Sequence, residues 1–78
     1  MKATVLVRPK EGILDPQGAA VEASLRKLGF AVSDARVGRL VEVDVAAANP
    51  DEARAQVDEM CKSLLANPLI ESYEITLP

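Results

Sequence analysis

Few residues in this sequence can do chemistry, and their spacing narrows what they can do. Lys10, Gly12, Asp15, Pro16 and Gly18 lie in the stretch RPKEGILDPQGAAVEASL, where a lysine and two glycines precede a helical pattern, as in a phosphate-binding loop. A P-loop, however, places Gly-Lys directly before Ser or Thr at the helix start. Here the helix starts at Asp15-Pro16, an acceptor side chain followed by the residue best suited to the first helical position. A carboxylate at that place occupies the amides an anion needs. The stretch therefore reads as strand end, tight loop and capped helix start, with Lys10 and Glu11 left exposed for a partner.

The remaining reactive residue types exclude more than they suggest. Histidine is absent, which rules out histidine triads, acid-base histidines and His-containing zinc sites. The single Cys61 falls on the inner stripe of a helical pattern and reads as a small hydrophobe. Asp51 and Glu52 complement a helix dipole, and Asp58 and Glu59 sit side by side on an outer helical face, so a solvated face accounts for them better than a metal site does. No catalytic, cofactor-binding or metal-ligating residue is expected. Arg36 and Arg39 flank Gly38 at an expected hairpin tip. They are either a docking point for an acidic partner or two solvated turn residues. The partner-contact candidates are thus Lys10, Glu11, Gly12, Arg36, Gly38 and Arg39.

The elements that must position these residues follow from periodicity and punctuation. Residues 3–9, ATVLVRP, alternate as a strand that Pro9 ends. A helix from about Pro16 to Leu28 carries Val21, Leu25 and Leu28 on one face and stops at Gly29. Two strands, Phe30 to Val37 and Arg39 to Ala46, are expected to join in a hairpin at Gly38. Asn49-Pro50 repeats the capped helix start, and a stripe of Ala53, Val57, Met60, Cys61 and Leu64 carries that helix to about Ala66, before Asn67 and Pro68. A last strand runs from Ile70 to Leu77.

This order, β-α-β-β-α-β, predicts an α+β, two-layer ferredoxin-like fold: an antiparallel sheet with two helices on one face. Val5, Val7, Val32, Val41, Val43, Val45, Tyr73, Ile75 and Leu77 are expected beneath the helices. Thr4, Leu6, Arg8, Leu40, Glu42, Asp44, Ser72, Glu74 and Thr76 are expected on the open face. With 78 residues the chain is expected to be a single domain, 1–78. So small a domain has a marginal core, and the uncovered sheet face adds to the expectation of a homo-oligomer.

Charge and composition bound the partners. The net charge is −3, with acids and bases interspersed, which argues against a nucleic-acid surface. The exposed sheet face lacks the aromatics of RNA-recognition sheets. No apolar run approaches a membrane span, the N-terminal stretch lacks signal-peptide order, and a lone cysteine fits a reducing compartment, so a cytoplasmic location is expected. A small-molecule regulatory dimer of ferredoxin-like topology stays open as an alternative.

The stretch VLVRPKEGILDPQGAAVEASLRKLGF, followed by VSDARVGRLVEVDV and a closing acid-rich helix and strand, resembles the PurS family over essentially the whole chain. The spacing Lys10, Gly12, Asp15, Pro16, Gly18, the Leu28-Gly29-Phe30 turn and the Gly38-Arg39 step carry the resemblance together. It implies a non-catalytic small subunit of phosphoribosylformylglycinamidine (FGAM) synthase in purine biosynthesis. Such a subunit assembles with itself as a dimer or tetramer, and with a PurL-type synthetase and a PurQ-type glutaminase, assisting ammonia transfer between them. ATP and magnesium then belong to the synthetase, and this chain needs no cofactor of its own.

Overall fold

A computed structural model describes all 78 residues, Met1–Pro78. Strand β1 (Lys2–Pro9) lies in the middle of a three-stranded antiparallel sheet, between β2 (Arg39–Asp44) and β3 (Glu71–Thr76). The registers pair Val5 with Val41 and with Ile75, so the apolar residues expected on the buried face line up across all three strands. Helix α2 (Pro50–Met60) lies over β1 and β3. Ala3, Val5, Val7, Val45, Val57, Cys61 and Ala66 form the buried core, with Val41, Val43, Tyr73, Ile75 and Leu77 half-buried around it. On the opposite face, Lys2 pairs with Glu42 at 3.0 Å and Arg8 with Glu74 at 3.7 Å, as a wetted sheet surface allows.

Both helix starts form as their punctuation dictates. The Asp15 carboxylate accepts from Gly18 N–H at 3.0 Å at the head of α1 (Pro16–Lys27), and Asn49 Oδ1 accepts from Glu52 N–H at 2.8 Å at the head of α2. Gly29 takes φ +97, the left-handed geometry that ends α1. The second helix does not run uniformly to Ala66. Its last turn, Cys61–Leu65, widens to a π-helical turn closed by Ala66 N–H on the Cys61 carbonyl at 3.0 Å.

The second expected strand departs from expectation. Phe30 to Val37 joins no sheet, and Gly38 forms no hairpin, having no positive φ. A single glycine between the two segments is shorter than the two residues that the tightest hairpin needs. Gly38 instead runs so close to β1 that a Cβ there would overlap the Val7 carbonyl oxygen. Residues 30–37 follow α1 instead: Arg26 Nε donates to the Val32 carbonyl at 2.9 Å, and a Cβ on Gly18 would strike the Ala35 carbonyl. Val32, placed under the helices by its sequence parity, therefore belongs to a helix-plus-segment arm and not to the sheet. Helix α1 itself buries only Gly18 within the chain.

The fully buried Val57 joins α2 to the sheet. Val57→Ala is expected to lower unfolding stability by about 2 kcal/mol, the loss of two buried methyls plus a residual cavity. Urea denaturation followed by circular dichroism measures this.

Candidate functional site

Loop 10–15 owes its shape to its glycine. Ile13 N–H donates to the Lys10 carbonyl at 3.2 Å, and Gly12 at φ +80 takes the turn position that demands a positive φ. This turn lifts Lys10 and Glu11 beside the start of β2. Five of the six sequence-derived contact candidates, Lys10, Glu11, Arg36, Gly38 and Arg39, consequently line one open cavity of about 720 Å³. Leu6, Arg8, Pro9, Leu40 and Ser72 complete its wall. Gly12 shapes the loop but lies outside the lining.

The two arginines are not free hairpin-tip residues. Arg36 Nη2 donates to the Pro9 and Lys10 carbonyls, both at 2.7 Å, and so clamps the base of the arm to the end of β1. Arg39 makes a two-pronged pair with Glu71, at 2.6 and 2.9 Å, and reaches the Leu65 carbonyl at 2.6 Å. Lys10 Nζ donates to the Pro68 carbonyl at 2.7 Å. Carbonyl oxygens satisfy the donors of Lys10 and Arg36 without cancelling their charge. The cavity rim therefore stays basic on a chain that is acidic overall, a surface suited to a partner's carboxylates.

Two carboxylates hold this surface in place. Asp15 accepts from Val37 N–H at 2.9 Å as well as from Gly18 N–H, tying the head of α1 to the end of the arm. The Val37 amide, then the Gly18 amide, hold its carboxyl below the usual carboxylate range. Glu71 is likewise held low, first by the Arg39 guanidinium and then by the Asn67 N–H. Glu71 was not among the residues singled out from the sequence, because its partner lies 32 positions away and no local spacing announces it.

Elsewhere, the Tyr73 hydroxyl donates to Asp58 at 2.6 Å and Lys62 pairs with the same carboxylate at 2.9 Å. The hydroxyl and then the ammonium hold Asp58 low, while burial and then the Asp58 charge push the Cys61 thiol up. That is the environment of an unreactive packing thiol. No three His, Cys, Asp or Glu residues are placed to hold a metal ion, and no helix is long and apolar enough to cross a membrane.

The fold and this cavity define a small α+β protein whose open, clamped loops meet at one end of the sheet. The profile of the family described as "PurS: Phosphoribosylformylglycinamidine (FGAM) synthase" matches residues 2–78. The Methanocaldococcus jannaschii phosphoribosylformylglycinamidine synthase subunit PurS is 39% identical, over 95% of this chain and 90% of its own length. The corresponding Synechocystis subunit is 48% identical, over 92% and 73%. A chain in the structure of PurLQS from Thermotoga maritima superposes with a TM-score of 0.87 at 33% identity, covering 96% of this chain and 93% of that one. The chain belongs to the PurS family, and is thus a subunit of FGAM synthase in purine biosynthesis rather than an enzyme in itself.

Because Asp15 and Glu71 have folded pKa values below their unfolded ones, the unfolded chain takes up their protons first as pH falls. Their contribution is complete above the ordinary carboxylate range and is lost below about pH 4. Asp15→Asn is expected to lower the urea midpoint at neutral pH and to flatten its fall on acidification, as a urea series over that pH range will read.

Proposed function

We propose that this subunit bridges a PurL-type synthetase and a PurQ-type glutaminase, associates with itself, and helps ammonia released by the glutaminase reach the synthetase. The observation that carries this reading is the convergence of two stretches distant in sequence, Lys10 and Glu11 with Arg36, Gly38 and Arg39, on one basic, open cavity. Such a surface is complementary to acidic side chains and has no enclosed volume for chemistry. The likeness to a chain in the Thermotoga maritima PurLQS structure supports the same reading.

The chain's part in the reaction is geometric. Ammonia set free in water protonates and diffuses away, so a docked complex that excludes solvent raises the effective concentration of the reactive form. A bridging subunit need only supply a rigid complementary surface, which the Arg36 and Arg39 clamps provide. ATP and magnesium bind on the synthetase, no cofactor binds here, and the complex works in the cytoplasm.

The arginines hold the fold, so the direct test uses the loop. Lys10→Glu is expected to lower the glutamine-dependent rate of the reconstituted complex about tenfold, a loss of roughly 1.4 kcal/mol of docking. The ammonia-dependent rate of the synthetase stays unchanged. Equal glutamine-dependent rates for variant and parent, at matched thermal stability, contradict the assignment of this loop to the interface.

A further inference from the structure

A subunit that bridges two proteins needs a second surface clear of the first. The outer edge of β3 has the required backbone. This strand is joined to β1 on one side and to nothing on the other. In an antiparallel pair, alternate residues form the ladder, and the phase is set by Lys10 N–H on the Ile70 carbonyl at 2.9 Å. Ser72, Glu74 and Thr76 therefore bond to β1, and the amides and carbonyls of Tyr73 and Ile75 point away from it. Two hydrogen bonds bear out this phase. Glu71 N–H turns outward to the Asn67 carbonyl at 2.8 Å, and the Ile75 carbonyl accepts from Arg54 Nη1 at 3.3 Å. The Tyr73 N–H and C=O and the Ile75 N–H are left without a partner in the chain. No bulge or proline blunts the strand between Glu71 and Thr76, so its edge is a template for an added strand.

Beside that edge lies a groove of about 480 Å³ between β3 and α2, lined by Asp51, Arg54, Ala55 and Asp58 of the helix and by Tyr73 and Ile75 of the strand. Spacings of three and four put the helix residues on one face, which continues past the edge of the sheet into open space. An added strand would send every second side chain into this groove.

The charge of the groove says which side chain fits. Helix α2 carries Asp51, Glu52, Asp58 and Glu59 against Arg54 alone. Asp58 is engaged by Tyr73 and Lys62, but Asp51 makes no ion pair within the chain. Ala55, the Tyr73 ring and Ile75 add apolar wall for the stem of a long cationic side chain. The groove is the electrostatic opposite of the basic cavity, and the two have no lining residue in common.

We propose that the outer edge of β3 is a second docking surface, where an extended segment of one partner protein adds as a strand and places a lysine or arginine against Asp51. Resting on the bridging reading above, this gives the subunit two faces of opposite charge. The basic cavity takes the carboxylates of one partner, the acidic edge takes the basic strand of the other, and the two dock without competing. Main-chain bonds to Tyr73 and Ile75 supply affinity, and the groove selects the side chain. The β1 ladder and the Tyr73 bond to Asp58 hold the edge in shape beforehand, so the ordering on docking falls on the partner's segment.

Hydrogen–deuterium exchange resolved to single amides tests this on the whole subunit, free and with the PurL-type synthetase or the PurQ-type glutaminase added in turn. The Tyr73 and Ile75 amides are expected to exchange fast in the free subunit and roughly tenfold more slowly with one of the two partners. Fast exchange at both amides in complexes that have formed overturns the strand addition and leaves the bridging reading intact. Slow exchange already in the free subunit overturns it as well, because a second copy then occupies the edge. Binding to neither protein overturns both readings. As a second arm, Asp51→Lys at matched thermal stability is expected to weaken binding of the protecting partner about tenfold and to leave the other's affinity unchanged. Equal losses for both partners, or none, contradict the assignment of Asp51.

Discussion

The structure depends on where the apolar stripe of α1 finds cover. An isolated helix of twelve residues is marginal in water, and within the chain this one is tied by polar contacts rather than by packing: the Asp15 carboxylate joins Gly18 to Val37 at its head, and Arg26 reaches the Val32 carbonyl at its end. The sheet and α2 make a small body with valines, alanines and a cysteine at its centre. Everything else, the arm, the open edge of β2 and the half-bare Val41 and Val43, is arranged as though completed from outside. Within residues 1–78 no segment packs over that stripe.

The same constraint shapes the surface proposed for docking. Because the arm leaves the body at Gly38, its base has to be fastened, and Arg36 and Arg39 do this through carbonyls and Glu71. The fastening draws loop 10–12 and segment 36–39 into one rigid, basic rim. A subunit that contributes surface and not catalysis is served by such rigidity, since a preorganised interface loses little entropy on docking.

What was legible in the sequence was local. Asp15-Pro16 and Asn49-Pro50 announce their helices because a cap and its amides lie within three residues of one another. The alternation in β1, β2 and β3 sorts buried from wetted residues because strand parity needs no knowledge of partners. The spacing from Lys10 to Gly18 carried the family. What was not legible depended on distance. Phe30 to Val37 has the composition of a strand, but its place is decided by a one-residue hinge and by a carboxylate 22 positions upstream of Val37. Arg36 and Arg39 read as exposed tip residues, and their carbonyl and carboxylate partners lie 26 to 32 residues away.

The central claim is that the order of α1 comes from outside its own chain, and native-state hydrogen exchange measured across protein concentration tests it most directly. The account predicts that protection of the α1 amides rises with protein concentration and, at high concentration, approaches that of β1. Protection of α1 that matches β1 and does not change on dilution to a monomer would contradict it, because the chain would then stabilise the helix alone.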